Sequence, residues 1–107
     1  GVRGKMGFST YFVCDATRED QADAIVTQAL APVYDKLVAD GQLVSWGWLE
    51  HIVGGQYRRL ATMTAADLPT LMKARASVTQ SMQDNPLGDA LTGICGSHTD
   101  YIWEIKH

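Results

Sequence analysis

The sequence has no apolar run close to the roughly 18 to 20 residues that span a bilayer, so no membrane-spanning helix is expected in its 107 residues. Positive charge is scarce: nine Lys and Arg stand against twelve Asp and Glu, for a net charge of -3, and only Arg58 and Arg59 are adjacent. Duplex nucleic-acid binding relies on clustered cations to displace counterions, so no nucleic-acid partner is expected. Cysteine is nearly absent. Cys14 and Cys95 lie far apart and form no CxxC or zinc-like spacing, so no metal site is read from them. A free thiol behaves as a small hydrophobe, which makes two buried thiols the first expectation and a Cys14–Cys95 disulfide the alternative. The opening residues, Gly1 to Lys5, carry no apolar h-region and are read as a lead ahead of the fold. A cytoplasmic location and an exported one with its signal removed both stay open.

What the chain does contain, 46% hydrophobic and 20% charged residues, is the composition of a globular domain. Its length suits one domain over 1–107. Phe8 to Asp15 is rich in β-branched and aromatic residues and reads as a first strand. Thr17 and Asp20 resemble a capping box, after which Ala22, Ile25, Val26, Ala29, Leu30, Val33 and Leu37 recur at helical spacing until Gly41 stops the helix. Pro32 falls inside that helix and is expected to kink or split it. Gln42 to His51 is a second strand, Val53 to Gln56 a turn and Tyr57 to Thr64 a third strand. A second helix, capped by Thr64 or Asp67, runs to about Gln83, with Pro69 in its first turn. Asp84 to Gly96, with Asn85-Pro86 and three glycines, reads as a long loop of the kind that carries function. The last strand covers about His98 to Lys106.

The order βαββαβ predicts an α+β, ferredoxin-like fold, in which a four-stranded antiparallel sheet has two helices on one face. Ser45 to His51 bears on the other face. Side chains alternate along a strand, so Trp46, Trp48 and Glu50 share one face while Ser45, Gly47, Leu49 and His51 share the opposite one. Apolar bulk on both faces needs cover on both, and a second copy of the same sheet is the simplest second cover. The expectation is a sheet-to-sheet homodimer around an aromatic cavity, with the face lining that cavity left open.

This element order, Leu49-Glu50-His51 at the end of the second strand, and Asp100-Tyr101-Ile102-Trp103-Glu104-Ile105 as the last strand resemble the dimeric α/β-barrel superfamily. That superfamily includes antibiotic-biosynthesis-type monooxygenases, NIPSNAP-like proteins and stress-responsive barrel proteins, and the resemblance is closest to small uncharacterised bacterial members. It covers Met6 to Lys106 and implies the fold and the dimer rather than an activity. Haem-degrading relatives hold their haem through a histidine on the second helix, and Leu68 to Gln83 contains none. No cofactor is therefore expected. Cofactor-free oxygenases of the superfamily set tryptophan, asparagine and similar polar groups beside an aromatic substrate. Trp46, Trp48 and Tyr57 resemble part of that set, but Asn85 is the sole asparagine.

In this topology one rim of the sheet gathers Cys14, Asp15, His51, Tyr57, Arg58, His98 and Asp100. His51, His98 and Tyr57 are the candidates for proton transfer, because an imidazole with an ordinary pKa near 6.5 is the natural acid-base group. Tyr11, Trp46, Trp48, Arg58 and Trp103 are the candidates for ligand contact. Arg58 and Arg59 point to opposite faces, so one of them is expected to be solvated. The leading expectation is a homodimer that binds a small apolar or aromatic molecule. An enzymatic version uses a rim histidine as base in a cofactor-free monooxygenase, isomerase or cyclase. The opposing one is a structural or interaction module whose aromatics are only core and interface.

Overall fold

Asp15, rather than Thr17, opens the first helical segment in the computed structural model, which describes residues 4–107. Its carboxylate accepts the Thr17 backbone N–H at 2.9 Å and the Thr17 hydroxyl at 2.7 Å. The chain begins with β1 (Met6–Val13) and a 3-10 turn (Ala16–Arg18). There follow α1 (Glu19–Ile25), a π-helical turn (Val26–Leu30) and α2 (Ala31–Ala39). Next come β2 (Ser45–Glu50), β3 (Arg59–Ala65), α3 (Leu68–Gln83), α4 (Pro86–Ile94) and β4 (Ser97–Glu104). The expected lead is shorter than 1–5. Gly4 already donates to Thr64 Oγ1, and Lys5 donates its N–H to the Ala65 carbonyl; the rest of that lead lies outside the described residues.

The four strands form one antiparallel sheet in the order β2-β3-β1-β4, which is the ferredoxin-like arrangement. The expected helix is divided just before Pro32, into α1, the π turn and α2. Pro32 sits in the first turn of α2, and the π turn before it lets the Ala31 N–H reach the Val26 carbonyl five residues back. A widened turn relieves the conflict between the proline ring and the carbonyl four residues earlier. Gly41 then ends α2 with φ +79. The N–H of Gln42 returns to Leu37 and that of Gly41 to Val38, which satisfies the last carbonyls. Asp67 caps α3 by accepting the Thr70 N–H.

Residues Asp84 to Gly96 are not the expected loop. Asn85 accepts the Leu87 N–H, Pro86 takes the first helical position, and α4 follows at once. Leu91 and Ile94 are buried from it. The two cysteines join rather than remain thiols: a disulfide ties Cys14, just past β1, to Cys95 at the end of α4. Under the helices the core holds Phe8, Ile25, Val26, Leu30, Leu71 and Val78.

Candidate functional site

Register assigns every strand side chain to a face. Phe8 pairs with Met63 and Ile102, Phe12 with Arg59 and His98, and Trp48 with Ala61. Residues directly opposite one another in an antiparallel ladder share a face, so Trp46, Trp48, Phe8, Phe12, His98 and Asp100 all face the helices. Tyr11, Leu49, Leu60, Thr99, Tyr101 and Trp103 occupy the opposite, uncovered face.

Between the helices and the sheet lies a cavity of about 280 Å³. Phe8, Phe12, Trp46 and Trp48 line it from the sheet, and Val26, Leu30, Tyr34 and Val78 from the helices. The indoles are held rigidly. Trp46 stacks on Tyr34 with ring centroids 4.7 Å apart and planes 6° from parallel, and it donates Nε1–H to Asp35 at 2.8 Å. Trp48 donates to Asp23 at 2.8 Å and tilts against Phe12. Each indole thus keeps its polar edge satisfied and leaves its ring as wall. Burial pushes the Tyr34 hydroxyl up to about 12, so it stays neutral.

His98, Asp100 and Arg75, the charged or basic groups of the lining, gather at the β1/β4 side of the cavity. His98 Nδ1 lies 3.0 Å from Asp100 Oδ1, and Arg75 Nη2 lies 3.5 Å from Asp100 Oδ2. The Arg75 guanidinium also sits over the Phe8 ring, 4.9 Å from its centroid. The sequence reading placed His98 and Asp100 at the rim but missed Arg75. The signal was present, because Leu71, Ala74, Arg75 and Val78 occupy the i, i+3, i+4, i+7 stripe of α3, which makes Arg75 a cation on the core-facing side.

The other candidates do not meet His98. His51 Nε2 lies 3.1 Å from Arg58 Nη1, and the Tyr57 hydroxyl lies 3.1 Å from Thr99 Oγ1. With Tyr11 and Leu49, the side chains of His51, Tyr57 and Arg58 border a second depression of about 320 Å³ on the open side of the sheet. Tyr11 packs against both Tyr57 and Tyr101, and Trp103 packs against Tyr101. Of the five residues expected to touch a ligand, Trp46 and Trp48 line the helix-side cavity, while Tyr11, Arg58 and Trp103 belong to the opposite side. Of the Arg58-Arg59 pair, Arg58 is the partly solvated one, with 39% of its side chain exposed, and both are ion-paired. Arg58 donates Nε to Glu19 at 2.6 Å. Arg59 is 3% exposed and bonds Asp23 and Glu19. Glu19 is held below its ordinary value chiefly by the hydrogen bond from Arg58, and Asp23 chiefly by that from Arg59.

No family model matches the sequence, and no curated protein matches it either. Solved structures do. A NIPSNAP family protein from Agrobacterium tumefaciens superposes with a TM-score of 0.66 at 11% identity, over 97% of this chain and 88% of that one. A protein from an uncultured marine organism, described as dimeric and ferredoxin-like, gives 0.73 at 10% identity, over 95% and 87%. An ethyl tert-butyl ether (EthD) family protein from Bacillus halodurans gives 0.62 at 14% identity, over 94% and 98%. At these identities the likeness is one of architecture, and the chain has the ferredoxin-like α+β fold that these proteins share.

Proposed function

We propose that the protein binds a small, largely apolar or aromatic molecule in the cavity between its helices and its sheet, and that it does so as a homodimer. The cavity itself carries the reading: a chamber of about 280 Å³ walled by Phe8, Phe12, Trp46 and Trp48, with its few charged groups collected at one side. That is the make-up of a site in which apolar walls supply affinity and a small number of polar groups fix orientation. The uncovered sheet face supports the dimer. Leu49, Tyr101 and Trp103 are each almost half exposed there, an apolar surface that a second copy can bury. Structural neighbours described as dimeric point the same way.

The test is calorimetric titration of the folded protein with small aromatic compounds, alongside an Ala61→Phe variant. Ala61 lines the cavity beside Trp48, so a phenyl group at that position fills it. Saturable binding by the original chain that the folded variant loses supports the reading; equal binding by both, or none by either, rejects it.

A further inference from the structure

The ionisable side chains that line the cavity are Tyr34, Arg75, His98 and Asp100. Tyr34 is fixed as the neutral phenol by burial, which leaves one base, one carboxylate and one permanent cation. An ionised carboxylate only accepts hydrogen bonds, so the 3.0 Å contact between His98 Nδ1 and Asp100 Oδ1 places the ring hydrogen on Nδ1. The lone pair is then on Nε2, which has no protein partner among the described residues. Phe12 packs beside the imidazole at 5.8 Å between ring centroids and sets it at the edge of the aromatic chamber.

We infer that the molecule bound here carries a weakly acidic hydroxyl, a phenol or an enol, and that His98 takes its proton on binding. The inference rests on the cavity reading above and adds the chemical class. The O–H bond breaks, its electron pair stays on oxygen as a phenolate or enolate, and the proton joins His98 Nε2. The imidazolium so formed is held by Asp100, and Arg75 supplies the charge facing the new oxyanion. Charge balances at every stage. Before transfer, the Arg75 cation offsets the Asp100 anion around a neutral imidazole and a neutral ligand. After it, two cations face two anions. Arg75 is suited to the task because its contact with Asp100 is long, at 3.5 Å, and a guanidinium has five donors to share. Asp100 is a positioning residue: it fixes the tautomer and orientation of His98 and needs no contact with the ligand.

The wall chemistry agrees with this class. An aliphatic chain gains only apolar burial against these walls, whereas a flat ring can also stack against Trp48 and Phe12 with its hydroxyl toward the β4 side. Tyr57 and His51 take no part, since they sit on the opposite face of the sheet.

The experiment compares para-nitrophenol with para-nitroanisole, the same ring with its hydroxyl capped by a methyl group. Both are titrated calorimetrically, and the visible phenolate band of the phenol is recorded at a pH where the free probe is mostly protonated. The expected result is that the phenol binds at least about tenfold tighter and develops the phenolate band as it binds. His98→Ala should abolish the band and bring the ratio of the two affinities close to one, whatever its effect on the affinity for para-nitroanisole itself. Asp100→Asn should weaken the band and lower the ratio of phenol to anisole affinity, a signature that a purely structural role for Asp100, which would move both affinities alike, does not produce. Equal binding of both probes with no phenolate band overturns the proton-acceptor inference and leaves the cavity reading standing. If neither probe binds, the cavity reading falls and the inference falls with it.

Discussion

Arg59 and Asp23 meet through two nearly parallel hydrogen bonds, Nε to Oδ1 at 2.8 Å and Nη2 to Oδ2 at 3.0 Å, across the junction of β3 and α1. The same Asp23 oxygen receives the indole N–H of Trp48, so the ion pair that anchors the helix also fixes a wall of the cavity. Arg59→Met should therefore cost on the order of 3 kcal/mol, because it strips a partner from buried Glu19 and from Asp23 together. Arg58→Met should cost less, its side chain being partly solvated. Urea unfolding of the two variants measures the difference; equal losses would place the anchor elsewhere.

Acid should unfold the protein by a nameable route. Asp15 is lowered to about 2, first by its bond from the Thr17 hydroxyl, while Glu19, Asp23 and Asp67 are held below their ordinary values by Arg58, Arg59 and the Thr70 N–H respectively. Folding keeps these groups deprotonated, so the unfolded chain takes up protons first as pH falls. Their stabilisation is complete above the ordinary carboxylate range and drains away from about pH 4.5 toward about 2. Tm recorded at steps from pH 7 to pH 2 should fall within that window, and Asp15→Asn should flatten its lowest part.

Alkali acts through Tyr34. Its hydroxyl is pushed to about 12 by burial, above the ordinary value of 10.0, so the unfolded chain releases this proton first and stability drops as pH rises from about 10 toward 12. Tyr34→Phe should remove that part of the alkaline loss, read from thermal melts with and without the substitution.

The Cys14–Cys95 link closes a loop with a sequence separation of 81. Chain-entropy arguments value such a constraint at about 4 kcal/mol, and Cys95 is itself a cavity wall residue. The Cys14→Ala, Cys95→Ala double variant should unfold at markedly lower urea concentration than the oxidised protein. A shift under about 1 kcal/mol would argue against the chain-entropy account.

On the uncovered face, Trp103→Glu sets a charge among apolar groups without touching the helix side. Light scattering should show a loss of the dimer with para-nitroanisole binding retained. A variant that stays dimeric would place the contact on another surface.

Much of this architecture could be read from residue spacing. Strand parity alone puts Trp46 and Trp48 together with Leu49 opposite them, and register agrees; His51, one residue past β2, borders the open-side depression with Leu49. Gly41 ended its helix where the apolar stripe stopped. The errors have physical origins too. Asn85-Pro86 has the composition of a loop, yet a cap residue followed by proline is equally the start of a helix, and Leu87, Leu91 and Ile94 continue it at helical spacing. The cysteine pair could not be settled, since nothing local in the chain says that residues so distant will touch. Topology brings the strand ends together, but the split of their side chains between the helix-side cavity and the open face depends on which face each strand end presents. Only paired strands reveal that His98 belongs with Trp48 and that Tyr57 belongs with Tyr11.

The π turn at Val26–Leu30 sets the angular phase of the helix. Asp35 follows Asp23 by twelve positions, and an unbroken α-helix turning about 100° per residue would leave the two carboxylates roughly 120° apart. Absorbing one residue in the widened turn cuts that offset to roughly 20°. Both aspartates then look down on the same sheet face, one to receive Trp48 and the other to receive Trp46. Deleting the exposed Gln28 and restoring a regular α-helix would keep that offset near 20° and leave both indoles their acceptors, whereas regularising the turn with all twelve positions retained would swing one carboxylate away.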